Sequence, residues 1–256
     1  MILELKKGLT YGPVRSRRLG ASLGINLFPG DVKRCPFDCV YCQYGWTKET
    51  AVRLSPETAA LPTPDEVELA VVRALEALPA PPAYLTFSGN GEPTLHPDFP
   101  EMVDRMAAIR ARFGGGLRTA VLSNSAGTED PDVRDALARL DVRIMKLDCG
   151  TEDVFRRYNR PARGITLEAI TEGLRIVAER APVTVQSLVA AGAAGNLDES
   201  EAPAWIERLV AIGPVAVQLY TLARGCPSSD LFPAPESALR GLAEKARARG
   251  VPVTVF

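Results

Sequence analysis

Residues Asp31–Trp46 read DVKRCPFDCVYCQYGW and contain three of the five cysteines of the chain. Cys35, Cys39 and Cys42 are spaced C-x3-C-x2-C, so three thiolates on one short loop can converge on one metal centre. A four-iron cluster takes one protein thiolate per iron. Three cysteines would therefore leave one iron open to a small molecule, and we expect the chemistry of the chain at that position.

The same cysteines also fit two simpler interpretations. Structural zinc sites are tetrahedral, and the only histidine in the sequence, His96, could supply a fourth ligand. Zinc loops usually come as paired C-x2-C knuckles, whereas here one such pair is joined by an offset third cysteine. Ordinary thiols are the other interpretation. The odd number of cysteines, three of them crowded together, argues against a disulfide framework and for a reducing compartment.

A second motif follows a predicted strand. Residues 88–93 read SGNGEP, in which Gly89 and Gly91 permit close backbone approach and unusual φ angles. Taken alone, this pattern is also typical of a simple turn. The candidate binding residues of this segment are Ser88, Gly89, Asn90, Gly91, Glu92 and Pro93.

The two motifs together resemble those of the radical SAM superfamily. The cysteine loop carries Tyr41 directly before its last cysteine, and residues 88–93 resemble the superfamily's glycine–glutamate–proline segment, with Asn90 between the glycines. The resemblance implies that the cysteines hold a [4Fe–4S] cluster and that residues 88–93 hold the amino group of S-adenosylmethionine (SAM). It also implies reductive cleavage of SAM to methionine and a 5′-deoxyadenosyl radical, which abstracts hydrogen from a substrate.

Four further residues are candidates through this resemblance. Tyr41 would lie beside the adenine of SAM, while Asn124, Asp148 and Gln186, at or near the ends of predicted strands, would face the ribose and the substrate. For these three the structural alternative is to cap the next helix or turn.

Strands and helices alternate after the cysteine loop. Thr63 can cap a helix that starts at Pro64, and Glu66 completes a capping box. Alternation predicts parallel β/α units, and six of them match the partial (β/α)6 TIM-type barrel, an α/β architecture, that the radical SAM resemblance implies. The predicted strands are 21–27, 83–88, 118–124, 142–148, 183–189 and 214–220, with a terminal strand at 251–256; further helices are predicted near 98–113, 131–140, 166–181, 200–211 and 235–249.

Several predicted strands are polar on one alternating face and apolar on the other. Facing inward, the polar set would form a polar cavity at the mouth of the barrel; the alternative is polar strand ends that simply meet water. The apolar set is Leu85, Phe87, Met145, Leu147, Val185, Val217 and Leu219, and the polar set is Asn26, Thr86, Ser88, Asn124, Lys146, Asp148, Gln186, Gln218 and Tyr220.

Three residues at this end of the strands are candidate catalytic groups. Lys146 needs a counter-charge or a shifted pKa; it could pair with Asp148, bind the SAM carboxylate or form a Schiff base with a carbonyl substrate. Cys149 and Cys226 follow strands and could return a hydrogen atom to a substrate radical or anchor a metal, although free cysteines are most often small buried hydrophobes.

We expect one domain over residues 1–256, divided into a basic lead-in (1–20), a barrel core (21–233) and a C-terminal helix with a short strand (234–256). The lead-in is either a solvated strap across the barrel or a patch for a phosphate-bearing substrate, formed by Arg15, Arg17 and Arg18.

The net charge of −1 produces no overall electrostatic attraction of the protein to nucleic acid or membrane. No apolar run approaches the ~20 residues that span a bilayer, and the start of the chain lacks a secretory h-region, so a cytoplasmic protein is expected.

Longer segments resemble a narrower group. Three segments are similar to small radical SAM proteins related to the wyosine tRNA-modifying enzymes. They read GPVRSRRLGASLGINLFPGDVKRCPFDCVYCQYG, KLDCGTEDVFRRYNRP and VQLYTLARG. The wyosine enzyme binds a second cluster through cysteines upstream of the loop, and no cysteine precedes Cys35 here. The expectation therefore extends to the superfamily and not to wyosine chemistry.

Three functions remain open from the sequence. The first is a radical SAM enzyme acting on a nucleoside, an RNA or another small substrate, with flavodoxin or ferredoxin as electron donor by analogy. The second is a radical SAM activase or peptide-modifying enzyme. The third is a zinc- or cluster-binding protein without SAM turnover.

Overall fold

The computed structural model describes residues 2–16, 19–48, 50–52, 54, 61–198 and 200–256. Arg17 and Arg18 of the predicted basic lead-in lie outside the described residues. The strands are β1 (Thr10–Ser16), β2 (Gly20–Ile25), β3 (Tyr84–Phe87), β4 (Arg118–Ser123), β5 (Val142–Lys146), β6 (Thr184–Leu188), β7 (Ala190–Ala191), β8 (Ala216–Tyr220), β9 (Phe232–Pro233) and β10 (Val253–Val255). The helices are α1 (Pro64–Glu76), α2 (Phe99–Phe113), α3 (Pro131–Arg139), α4 (Glu152–Tyr158), α5 (Leu167–Arg180), α6 (Glu201–Ile212) and α7 (Glu236–Ala248), with 3-10 turns at Pro93–Leu95 and Ala126–Glu129.

Eight strands form one sheet in the order β1-β2-β3-β4-β5-β6-β8-β10. All neighbours from β2 to β10 run parallel, and β1 pairs antiparallel with β2 at one edge. The predicted α/β fold with a parallel sheet is confirmed, with the six predicted strands in sequence order and β10 as a seventh parallel strand. Within the described residues β1 and β10 do not pair with each other, so the barrel is open between them.

The lead-in differs from the predicted strap, because residues 10–16 form the edge strand β1. A register shift between Tyr11 and Val14 interrupts its pairing at Gly12 and Pro13. Proline cannot donate to a strand ladder, which confines it to edges and bulges. Because of this irregularity, β1 could not be predicted from a regular alternation of apolar and polar residues.

Alternation along the strands separates two environments as predicted. The apolar face packs under the helices: Leu85, Phe87, Met145, Leu147, Val185, Val217 and Leu219 are all buried. The capping box predicted at the start of α1 is present, since the Thr63 hydroxyl accepts from the Glu66 N–H and the Glu66 carboxylate accepts from the Thr63 N–H. In the described part of the chain, no helix combines the length and the apolar composition that a membrane crossing requires.

Candidate functional site

The cysteine loop is hydrogen-bonded to the end of α4 and to the segment that follows it. The Val40 N–H donates to the Tyr158 carbonyl at 3.0 Å, and the Asp38 N–H lies 3.2 Å from the Asn159 carbonyl. The Ala162 N–H donates to the Pro36 carbonyl at 2.8 Å. These bonds hold the loop against the end of α4, with its three cysteines half-buried.

Each cysteine sulfur has a side-chain N–H donor, two of them from outside the loop and one from within it. Asn124 Nδ2 lies 3.4 Å from Cys35 Sγ, and Asn159 Nδ2 lies 3.5 Å from Cys39 Sγ. Lys33 Nζ lies 3.4 Å from the Sγ of the third cysteine, Cys42. Such donors stabilise sulfur that carries negative charge, as thiolates bound to a metal do.

Burial disfavours the thiolate form at two of the three cysteines of the loop. Burial raises the pKa of the Cys39 thiol to about 12, and the neighbouring Cys42 adds to the rise. Burial likewise raises the pKa of Cys35 well above its usual value. A positively charged centre is therefore needed to keep these sulfurs anionic.

The loop also contains a buried cation that fits such anionic sulfurs. Lys33 is only 7% exposed, and within the described part of the chain it forms no ion pair with a carboxylate. Among the described residues no three Cys, His, Asp or Glu side chains are arranged to hold one metal ion. A four-iron cluster makes a different demand, one ligand per iron, and the three sulfurs with their donors fit three of its four irons.

The SGNGEP segment is bonded directly to the cysteine loop. The Arg34 N–H donates to the Asn90 carbonyl at 3.1 Å, and the Glu92 N–H donates to the Arg34 carbonyl at 3.0 Å. Gly91, at φ +133°, makes this approach possible, since a Cβ there would lie 1.7 Å from the Arg34 oxygen. The two motifs found in the sequence therefore form one unit.

Glu92 is engaged by the protein itself. Its Oε1 accepts from the Thr94 N–H, the Thr94 hydroxyl and the Ser123 hydroxyl, at 3.1, 2.7 and 2.8 Å. Its Oε2 accepts from the Asn124 N–H at 2.6 Å, and the residue is 2% exposed. Burial raises the pKa of this carboxyl, and these hydrogen bonds oppose the rise. Its carboxylate fixes the turn that starts at Pro93 to the end of β4.

Asn90, the residue that separates the two glycines, clips the N-terminal segment to this turn. Its side chain accepts from the Lys6 N–H at 2.7 Å and donates to the Lys6 and Phe28 carbonyls at 2.7 and 2.9 Å. Ser88 makes a similar link, because its hydroxyl lies 2.7 Å from the Tyr11 hydroxyl. These contacts join residues 62 to 84 positions apart in the sequence and have no signature in local spacing.

Asp148 is the centre of a buried network beneath the cysteine loop. Its Oδ1 lies 3.1 Å from Lys146 Nζ and 2.8 Å from the Leu188 N–H. Its Oδ2 accepts from the Tyr41 hydroxyl and, at 2.9 Å, from Asn159 Nδ2. The side chain is 0% exposed. The predicted pairing of Asp148 with Lys146 is confirmed, and the same carboxylate fixes the aromatic residue of the cysteine loop to the barrel.

Lys146 also heads a polar row across neighbouring strands. Burial lowers its pKa, but Asp148 and Tyr220 outweigh burial and raise the pKa above its usual value. Its Nζ lies 3.0 Å from the Tyr220 hydroxyl, which donates to Gln186 Oε1 at 3.2 Å. Gln186 Nε2 donates to Gln218 Oε1 at 3.0 Å. Strand register places Lys146 beside Gln186 and Gln186 beside Gln218, while Tyr220 lies two residues further along β8. Part of the predicted inward polar face is therefore one connected network.

The remaining candidates lie around this network. Cys149 is 1% exposed and lies 3.3 Å from Asn159 Oδ1, and this burial favours its structural alternative. Cys226 is half-buried, with its Sγ 3.5 Å from the Ser228 carbonyl. His96 Nδ1 accepts from the Asp98 N–H at 3.1 Å, which orders the segment after the SGNGEP turn.

Sequence reasoning missed two contributors, Lys33 and Asn159. Asn159 contacts Cys39, Tyr41, Asp148 and Cys149 at once. Asn159 follows α4, a helix of seven residues that is too short to give a clear periodic pattern. Only the position of Lys33 two residues before the first cysteine could have drawn attention to it.

Replacing Asp148 by asparagine is expected to destabilise the fold by about 3–5 kcal/mol, the cost of breaking a buried ion pair by removing one partner. An amide accepts at one end only, so its NH2 group must face either Lys146 and the Leu188 N–H, or Tyr41 and Asn159. Urea unfolding of the metal-free chain measures the loss.

The matched control is Asp104→Asn. Asp104 pairs with Arg139 at 2.7 Å on the surface, with 61% of its side chain exposed. Removing an exposed pair is expected to change the free energy of unfolding by less than about 1 kcal/mol. Equal losses in the two variants would contradict the role given to Asp148.

The chain is similar in sequence to known proteins over much of its length. The family model described as the radical SAM superfamily matches residues 32–192. The UPF0026 protein of Synechocystis sp. is 32% identical over 220 residues, which covers 85% of this chain and 76% of that relative. The match to the UPF0026 protein of Methanocaldococcus jannaschii covers 65% of this chain and 48% of that relative, so the chain spans about half the length of some curated relatives.

Solved structures share the fold at low identity. A radical SAM methyltransferase from Sphaerobacter thermophilus aligns with a TM-score of 0.65 and 20% identity, covering 92% of this chain and 65% of that one. SuiB of Streptococcus suis, bound to S-adenosylmethionine, aligns with a TM-score of 0.63 and 9% identity, covering 91% of this chain and 50% of that one. These likenesses concern the fold alone, and the predicted closeness to wyosine-related proteins is not confirmed by them.

Proposed function

Because this chain belongs to the radical SAM superfamily, whose members use a [4Fe–4S] cluster and SAM, we propose that Cys35, Cys39 and Cys42 hold the cluster and that residues 88–93 bind SAM beside it. When bound, these groups supply a 5′-deoxyadenosyl radical that abstracts hydrogen from a substrate. The observation that carries the proposal is the pair of hydrogen bonds between Arg34 and the SGNGEP segment. They support SAM binding next to the cluster, because Arg34 directly precedes the first cysteine.

In this proposal the residues of the chain bind and orient the cluster and SAM. The three sulfurs receive N–H donors from Lys33, Asn124 and Asn159, which stabilise thiolates at fixed positions. Since the Glu92 carboxylate already accepts four hydrogen bonds from the protein, the backbone of residues 88–91 remains for the amino group of SAM. Asn124, Asp148 and Gln186 stay candidate residues for the ribose and substrate side.

The substrate side of the site is a row of hydrogen-bonding groups. Lys146 and Tyr220 form a network with the paired amides of Gln186 and Gln218. This polarity favours a substrate that carries hydrogen-bonding groups, such as a nucleoside, a tRNA nucleotide or a polar small molecule. Lys146, Cys149 and Cys226 are the candidate catalytic residues for the reaction of this substrate. The electron donor proposed by analogy is a flavodoxin or ferredoxin.

The test is anaerobic reconstitution with iron and sulfide, then reduction in the presence of SAM, with 5′-deoxyadenosine assayed by mass spectrometry. The expected result is a cluster absorbance together with 5′-deoxyadenosine and methionine. A colourless protein that binds one zinc ion and leaves SAM unchanged would overturn the proposal in favour of a structural metal site. Nucleic acid that co-purifies with the protein and is lost on RNase treatment would favour an RNA substrate over a peptide or an activated partner protein.

A further inference from the structure

Lys33 lies inside the cysteine loop and joins its two ends. Its Nζ donates to the carbonyl of Gly45, three residues after the last cysteine, and lies 3.4 Å from Cys42 Sγ. The residue is 7% exposed. The Gly45 N–H in turn donates to the Cys42 carbonyl at 2.9 Å. The hydrogen bond to the Gly45 carbonyl therefore holds the Lys33 ammonium beside the Cys42 sulfur.

A buried charge is costly unless another charge compensates it. Lys7, an exposed lysine near the same loop, forms an ion pair with Asp31, but no carboxylate forms one with Lys33 in the part of the chain that the structure describes. Among the described residues, the group able to carry negative charge that contacts Lys33 Nζ is the sulfur of Cys42, at 3.4 Å. The location of Lys33 thus makes physical sense when that sulfur is a thiolate.

The other two sulfurs have neutral donors. Asn124 and Asn159 each present a side-chain amide, at 3.4 and 3.5 Å from the sulfurs of Cys35 and Cys39. An amide hydrogen bond stabilises a thiolate but adds no net charge. The Cys42 sulfur therefore differs electrostatically from the others, because it alone of the three has a cationic donor among the described contacts.

We propose that Lys33 is a positioning residue that raises the reduction potential of the cluster through its charge beside Cys42. This inference rests on the proposed function, since it requires the cluster. Reduction adds one electron and so one negative charge, and a nearby cation stabilises the reduced form relative to the oxidised form. Net charge, hydrogen bonds to sulfur and solvent exposure set such potentials, and a cation so little exposed is weakly screened by salt.

Three substitutions separate charge from hydrogen bonding. Lys33→Met removes both, Lys33→Gln keeps a neutral N–H donor, and Lys33→Arg keeps the charge. We expect the midpoint potential of the reconstituted cluster, titrated without SAM and followed by absorbance and electron paramagnetic resonance, to become more negative in the Met variant. A smaller negative shift is expected in the Gln variant and a potential near that of the wild type in the Arg variant.

The control is Lys48→Met. Lys48 is an exposed lysine shortly after the same loop, so its charge is screened by water and salt. The midpoint potential of this variant is expected to equal that of the wild type. A shift as large as that of Lys33→Met would contradict a specific role for the buried charge.

The outcomes also separate this inference from the proposed function. A wild type that takes up no cluster defeats the proposed function. A wild type that forms the cluster and 5′-deoxyadenosine, with the same potential in all Lys33 variants, overturns the inference alone. If the neutral variants fail to retain iron and the Arg variant retains it, the charge acts on cluster retention rather than on the potential, and the inference is overturned. Loss of iron from the Arg variant as well would overturn a role based on charge.

Discussion

The Cys39→Ala variant is expected to contain no four-iron cluster after reconstitution and to form no 5′-deoxyadenosine above background. Removing one of three thiolates leaves two ligands for a cluster that takes one per iron. It also leaves Asn159 Nδ2 facing a methyl group in place of sulfur. Iron and sulfide content, visible absorbance and SAM cleavage measure the three consequences separately.

Cys226→Ala is the matched control for iron content. Cys226 is also a half-buried free thiol, but it lies outside the loop and its contact is with the Ser228 carbonyl. Its variant is expected to bind as much iron and sulfide as the wild type. If Cys39→Ala kept the full iron content, the assignment of the metal ligands would be wrong. If the wild type contained zinc in place of iron and the Cys39→Ala variant lost that zinc, the zinc interpretation would replace the cluster.

The fold was predictable because its signals are local. Period-two alternation marked the buried faces of strands such as β3 and β8, and the capping box at Thr63 and Glu66 marked the start of α1. The parts that escaped prediction lack such a signal. β1 is interrupted by a bulge at an edge, and α4 has only seven residues.

The site was predictable where one short stretch carries the chemistry. Three cysteines at close spacing and two glycines before Glu92 stand out in the sequence without any tertiary information. Their assignments as metal and SAM ligands stay predictions until they are tested. The structure adds that residues from both motifs meet at Arg34.

The supporting contacts could not be predicted, because they depend on which distant groups meet. Asp148 binds side chains from the cysteine loop and from the end of α4, together with the backbone of β6. Asn90 was expected to contact the cofactor. Its side-chain hydrogen bonds are formed with Lys6 and Phe28. Burial and partner geometry, which the sequence does not give, decide these roles.

Gly91→Ala is expected to abolish SAM binding to the reconstituted protein and to destabilise the fold. An alanine Cβ would lie 1.7 Å from the Arg34 carbonyl oxygen, and backbone rather than a flexible side chain must move to relieve this overlap. The φ of +133° adds a conformational cost of about 1–3 kcal/mol for a residue other than glycine. Separation of the turn from the cysteine loop would break both hydrogen bonds that join the two motifs.

The Gly116→Ala variant distinguishes overlap from backbone strain. Gly116 also has a positive φ, +80°, but a Cβ there would meet no atom within 4 Å. It lies between α2 and β4, at the end of the sheet opposite the cysteine loop. We expect this control to lose only about 1–2 kcal/mol of unfolding free energy and to bind SAM as the wild type does. Equilibrium dialysis of SAM and urea unfolding compare the variants. If Gly91→Ala bound SAM normally and lost no more stability than Gly116→Ala, the close contact at Arg34 would not be what joins the SAM segment to the cluster loop.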